Sequence, residues 1–545
     1  MTSAHTSRSR LFFLGRLWFV VALCSLTHGE STPALQNHPS HPGLPVRAVS
    51  LGGWLVIEGW ILPSLFDGII NEDLMVIESD AMALYILAAD ADVVSSVRQD
   101  GSSLQFRSLA RNANLTAARG GGAAVVAVPD SQLNASYGTF KVWRIDETTF
   151  NFRVFNRQFV SVGGDGSVVA TAAAPGAAET FKIVRNAGDK NRVRIRAPNG
   201  RFLQVKRDYS VVADHGESTS WSEDDPSVFA MTNVGDMHGE FQICNGYGTA
   251  KAAPVLRNHW NTFIVEEDFK FIASNGLNAV RIPVGWWIAS DPNPPAPFVG
   301  GSLDALDKAF KWAEKYKLWV IIDLHAAPGS QNGYEHSASR DGSQEWGTND
   351  TSIAQTVQVI DFLASRYAAS PSLLAMGLMN EPMAPGVTLD SLVKYYKAGY
   401  AAARRHTTKA YVVMSTRLAG DSGELLSFFG GGLPGAVIDV HYYVFNNTFT
   451  NMTARQNIDF IENNYAADLR GLTTRNGPLS FVGEWVAVWN VQNATKAEYQ
   501  RLAQVQMEVY GRATFGWAYW TLKNVNNYWS MEWMIKNGYI SLKRH

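Results

Sequence analysis

From residue 234 to the C terminus, short continuous apolar runs alternate with amphipathic stretches. Apolar runs of strand length, bounded by polar tips, fit strands buried on both faces, and stretches with a 3.6-residue period fit helices covering them. The pattern predicts strands at 279–287, 318–325, 373–379, 411–416, 437–444, 479–485 and 515–522. It predicts helices at 266–274, 303–315, 353–367, 389–405, 425–429, 458–469 and 497–509. Residues 48–58 (AVSLGGWLVIE) add a strand at 50–57 near the start of the chain. Eight strands alternating with helices predict an α/β fold, a (β/α)8 TIM barrel.

Between residues 102 and 233 the pattern changes to short strands separated by Gly, Asn and Asp, and it repeats. Residues 105–108 (QFRS), 151–154 (NFRV) and 192–195 (RVRI) occupy like places, as do 114–117 (NLTA), 158–161 (QFVS) and 201–204 (RFLQ). Each unit closes on a phenylalanine: Phe140, Phe181 and Phe229. Three β units with a period of about 40–48 residues predict a β-trefoil, inserted after the first barrel strand. The domains are then 46–66 (first strand and its loop), 102–233 (insertion) and 234–545 (the rest of the barrel). Residues 67–100 show no period and are expected to form a surface excursion.

A chain of 545 residues is long enough for two domains. A net charge of −2 excludes an electrostatic partnership with nucleic acid or anionic membranes. Residues 1–30 have the form of a secretory signal: Arg8 and Arg10 precede the apolar run 17–26, and small residues surround Gly29. An uncleaved anchor is the lesser reading, because Arg16 interrupts the apolar run. Cleavage removes Cys24 and leaves Cys244 alone, so the mature chain has no internal disulfide. Sequons at Asn114, Asn134, Asn349, Asn446, Asn451 and Asn493 fit a secreted, glycosylated protein, which is expected to be a monomer.

In a barrel of this kind the C-terminal strand ends converge on one rim, where chemistry is done. Those ends supply Glu58, Arg281, His325, Asn380 with Glu381, His441 with Tyr443, Glu484 and Trp520. Singly, each has an ordinary structural explanation: an ion pair for Arg281, a satisfied buried imidazole for His325 or His441, core packing for Tyr443 or Trp520. Jointly, Glu381 and Glu484 at two buried strand tips are the carboxylate pair that glycoside hydrolysis needs. No His/Asp cluster has ligand spacing, so neither a metal nor another cofactor is expected.

The motifs AVRIPVGWW, DLHAAPGSQNG, LMNEP, DVHYYVF, FVGEW and WAYWTLKN resemble glycoside hydrolase family 5. LGGWLVIEGWILPSLF is similar to the exo-β-1,3-glucanase branch of fungi and its plant relatives, and the repeat region resembles the fascin-like domain that the plant relatives carry. The resemblance implies a retaining, exo-acting enzyme on a β-glucan or β-glucoside, with Glu381 as acid/base and Glu484 as nucleophile. It implies that Asn380 bonds the sugar 2-OH, that Arg281 keeps the nucleophile ionised and that Tyr443 orients it. His325 and His441 would bind sugar hydroxyls or the acid/base, Trp520 would floor the glucose site, and Glu58 would close its end. Burial and nearby negative charge are expected to keep Glu381 protonated. Trp287, Trp485 and Trp489 are candidates for an acceptor site that favours transglycosylation. Ala48 and the Tyr334–Glu335–His336 run depart from the relatives' pattern. The alternative of a different class is a non-catalytic glycan-binding protein, which usually lacks one of the two carboxylates. Actin bundling, the role of fascins, would need a cytosolic chain and leaves the rim unexplained.

Overall fold

The computed structural model describes residues 44–71 and 103–542, apart from 236, 431 and 475. The expected signal and most of the 67–100 excursion lie outside the described residues. Eight parallel strands close a barrel: Val46–Ser50, Ala279–Gly285, Trp319–Ala326, Leu373–Gly377, Tyr411–Ser415, Ala436–Val444, Leu479–Trp489 and Gly516–Tyr519. The last strand closes on the first through the register Val46↔Gly516. The strands are almost entirely buried, which is why they read as continuous apolar runs. Helix starts are set by local chemistry: Thr388 and Thr495 accept from the amides of Ser391 and Glu498, and Asn349 from that of Ser352.

Two expectations change at the first strand. It ends at Ser50, not at Glu58. Gly53 takes a left-handed backbone (φ 69°), so the chain turns and continues as a buried loop. Glu58 reaches the rim through an antiparallel bridge to Gly239, braced by a bond from the Gly59 amide to the His238 carbonyl. Two helices, Glu240–Tyr247 and Thr249–Thr262, were not foreseen, because Gly246, Gly248 and Pro254 interrupt their apolar pattern.

Residues 103–235 form twelve antiparallel strands in three four-strand units. The first and fourth strands of the units make one closed ring: Ser103–Ser108, Phe140–Arg144, Thr149–Arg153, Phe181–Arg185, Arg192–Arg196 and Phe229–Gly235. The middle two strands of each unit form a hairpin. Phe140, Phe181 and Phe229 each open a fourth strand and are buried in the domain's own core with Phe106, Phe150 and Phe152. Asn114 is buried with its amide bonded to Asp130, so its sequon is not accessible.

Candidate active site

The barrel gathers residues of the second, third, sixth and seventh strands, with Asn380 and Glu381 just past the fourth, into one bonded cluster. Glu484 lies on the seventh strand, in register with His441 of the sixth. One Glu484 carboxylate oxygen accepts from Arg281 Nη1 at 2.7 Å, and the other accepts from the Tyr443 hydroxyl at 2.6 Å. Arg281 is the third residue of its strand rather than the last, and its long side chain climbs to the rim. Its Nη2 donates to Asn380 Oδ1 at 2.6 Å and lies 3.0 Å from Asp323 Oδ2. Burial opposes the Arg281 charge, but Asp323, Glu484 and Asp439 outweigh it and stabilise the guanidinium. The two bonds fix the carboxyl group in one orientation, as a nucleophile requires.

Glu381 follows the fourth strand with a left-handed backbone, φ 47°. For a non-glycine residue this conformation is strained, and such strain concentrates at functional sites. His441 Nδ1 lies 2.6 Å from one Glu381 oxygen and His336 Nε2 lies 3.2 Å from the other. Oxygens of Glu381 and Glu484 approach within 4.8 Å, with His441 inside the same distance. The Asn380 Nδ2 donor is buried and has no partner, so it is available to a sugar hydroxyl beside Glu484.

The protonation of Glu381 differs from expectation. Burial raises its pKa, but hydrogen bonds from His336 and His441 and their charges outweigh burial and hold the carboxyl well below its ordinary range. Burial alone would also lower the imidazoles, but Glu484, Asp439 and Glu381 raise His441, and Glu381, Glu58 and Glu484 lift His336 to about 9. The two imidazoles bonded to Glu381 thus favour its ionised form. His336 charges below its folded value of about 9, above the ordinary histidine value of about 6.5. The stability it contributes is full below about pH 6.5 and is lost as pH rises through about 9. The parent chain is expected to lose melting temperature between about pH 6.5 and 9, and His336→Asn is expected to flatten that fall; an unchanged pH profile overturns this reading.

His325 does not reach the acid/base. Its Nδ1 is 2.7 Å from Asp323 Oδ2, and its ring lies parallel to Trp520, with centroids 5.2 Å apart. It therefore orients the tryptophan and the buried aspartate. Glu58 borders the cluster: one oxygen accepts from Trp60 Nε1 and the other, buried, has no partner. Burial pushes its carboxyl to about 8. Trp287, Trp485 and Trp489 are core residues and not an acceptor platform. Side chains alternate along a strand, so inward Glu484 sends Trp485 outward against Tyr510, Trp517 and Tyr519. Trp287 stacks on Phe298, and Trp489 packs on Tyr499.

Asp323, Asp439, Gln331, Asn332 and His336 lie inside the quoted motifs or the departing run, but the sequence assigned them no role. Asp323 and Asp439 each precede a site histidine by two residues, in DLH and DVH, and so share its face. Each is given room by a glycine: a Cβ on Gly377 would lie 2.8 Å from Asp323 Oδ1, and one on Gly483 2.1 Å from Asp439 Oδ1. Glu381, His441 and Glu484 also form a group with metal-ligand spacing, which the sequence hides because three strands supply it. The donors are committed elsewhere: the His441 imidazole is held protonated, and both Glu484 oxygens accept from Arg281 and Tyr443. The group fits a proton network better than a metal centre.

The sequence model of the cellulase family, glycosyl hydrolase family 5, matches residues 244–526. That of a domain of unknown function, DUF7910, matches residues 99–234. A probable glucan 1,3-beta-glucosidase A of Aspergillus niger is 31% identical over 57% of this chain and 82% of its own length. A glucan 1,3-beta-glucosidase of Blumeria graminis is 38% identical over 40% of this chain and 51% of its own length. Among solved structures, rutinosidase from Aspergillus niger aligns with a TM-score of 0.49 and 24% identity, over 55% of this chain and 88% of that one. With the barrel and the two-glutamate site in place, the chain belongs to glycosyl hydrolase family 5.

Proposed function

We propose that the protein is a retaining, exo-acting β-glucosidase that cleaves β-1,3-glucans or related β-glucosides from the non-reducing end. The observation that carries this reading is the approach of Glu381 and Glu484 oxygens to within 4.8 Å. Retaining enzymes hold their carboxyls about 5–5.5 Å apart, and inverting enzymes about 6.5–9.5 Å apart. Glu484 attacks the anomeric carbon as the glycosidic C–O bond breaks, and the leaving oxygen takes a proton from the Glu381–histidine unit. Water then attacks the glucosyl-enzyme, gives its proton to Glu381, and releases Glu484. A second sugar in place of water gives transglycosylation. The unpartnered buried oxygen of Glu58 supports exo action, because it offers an acceptor to sugar hydroxyls at one end of the site. The names of the Aspergillus and Blumeria relatives support the β-1,3 linkage.

The three-fold ring of paired strands supports a β-trefoil in residues 103–235. The basic and apolar pattern of residues 1–30 and the exposed sequons at Asn134, Asn349, Asn451 and Asn493 support a secreted, glycosylated protein. Among the described residues no helix is long and apolar enough to cross a membrane.

The test is incubation with p-nitrophenyl β-glucoside and a series of β-1,3-glucan oligomers, with the products followed by NMR. Glucose released one unit at a time, first as the β anomer, is the expected result. Binding without release would favour a glycan-binding protein, and initial α-glucose would exclude retention.

A further inference from the structure

Building on the glycosidase reading, we propose that the inserted β domain is a positioning element for the acid/base. It clamps the loop after the third barrel strand, residues 327–349, and that loop holds Glu381 in its left-handed conformation. The clamp is polar, with a buried Arg153–Asp341 pair at its centre and half-buried groups around it. Trp143 Nε1 donates to Asp341 Oδ2 at 2.6 Å, and Arg153 Nη1 lies 3.1 Å from the same oxygen. Arg153 Nη2 reaches Glu345 at 2.7 Å, and Lys141 Nζ donates to Ser343 Oγ. The Arg340 guanidinium sits 3.6 Å from the Trp143 ring centroid. Arg153 and Asp341 are 8% and 1% exposed, so the pair is desolvated and its geometry is demanding. Burial raises the Asp341 carboxyl, but Lys141 and Arg153 outweigh it and bring it to about 2.

From this clamp the backbone leads to Gln344, and from there hydrogen bonds run inward. Gln344, between Ser343 and Glu345, donates to the carbonyls of Gln331 at 2.9 Å and Met383 at 2.6 Å. Gln331 in turn donates to the carbonyls of His325 at 2.7 Å and Asn380 at 2.8 Å. Asn332 donates to the carbonyl of Glu381 itself at 3.1 Å. The same loop carries His336. A strained backbone persists only where its surroundings over-determine it, and the bonds to Asn380, Glu381 and Met383 surround the strained residue. Arg153 and Gln344 touch no reacting atom and act through Gln331, so they are positioning residues.

A continuous route is not yet coupling, and the leaving group supplies the test. A 2,4-dinitrophenyl group departs without a proton, whereas an alkyl or p-nitrophenyl group needs the acid. Arg153→Met is expected to lower kcat/KM for the poorer leaving groups by about tenfold to a hundredfold, with little change in KM. For 2,4-dinitrophenyl β-glucoside the loss should stay within about twofold, because glycosylation there needs no general acid. Gln344→Leu leaves the ion pairs intact and should show the same selectivity, which keeps the test decisive if Arg153→Met folds poorly. The double variant should be less impaired than the sum of the single effects. Equal losses for all leaving groups, or parental values in folded Gln344→Leu, overturn the inference. A parent chain inert toward every glucoside overturns the glycosidase reading instead.

Discussion

Glu484→Ala is expected to lower turnover by more than about 10⁴-fold, and added azide is expected to restore it with α-glucosyl azide as the product. Truncation opens a small space on the face from which Glu484 attacks. Arg281 Nη1 and the Tyr443 hydroxyl, which hold the carboxylate oxygens at 2.7 and 2.6 Å, then face that space as free donors. A small anion is well received there. Azide attacks opposite the departing β-linked oxygen, so one inversion gives the α product, while Glu381 still delivers its proton. Arg281 keeps Asp323 and Asn380 as partners, so the folded barrel should survive the substitution. NMR of the azide adduct decides: a β-azide, or turnover close to the parent's, assigns the nucleophile to another group.

The barrel was legible because each strand, sealed on both faces, had to be apolar throughout, and each helix showed one apolar face. Register was not, since it depends on pairing between distant segments. Glu58 illustrates the limit. The run from Ala48 to Glu58 is continuous in hydrophobicity, but Gly53 at φ 69° turns the chain after Ser50, and a bridge to Gly239 determines where the glutamate points. Trp485 was misjudged for a different reason: the two-residue alternation that aims Glu484 inward already sends its neighbour outward. Asp323 and Asp439 carried a readable signal, since the residue two before a rim histidine shares its face. Gln331 and Asn332 stood inside DLHAAPGSQNG and His336 inside the departing run, but nothing in the sequence showed what they touch. They lie in an aperiodic loop, and their importance comes from contacts to Asn380 and Glu381 some fifty residues away. The three-fold repeat was visible because each unit places its aromatic core residues at matching offsets.

The state of the acid/base was the deepest misreading, and it shapes the second large effect. Burial raises a carboxyl, and the sequence offered burial. What it concealed was the pair of imidazoles, one from the sixth strand and one from the clamped loop, that reverse the balance. Glu381→Ala removes the group that protonates the leaving oxygen and that later takes a proton from water. The loss expected for p-nitrophenyl β-glucoside is about 10²–10⁴-fold in kcat/KM, the usual worth of a general acid. For 2,4-dinitrophenyl β-glucoside kcat/KM should remain near the parent value while kcat falls, because deglycosylation still lacks its base and the glucosyl-enzyme accumulates. Azide needs no base to attack that intermediate from the β face, so it should raise kcat and yield β-glucosyl azide, the anomer opposite to the Glu484 variant's product. His336 would lose the carboxylate that most strongly supports its charge, so its pKa should fall below about 9 and the pH window of its stabilisation should narrow from the alkaline side. Equal losses for both aryl glucosides, or an α-azide from this variant, would show that Glu381 is not the acid/base.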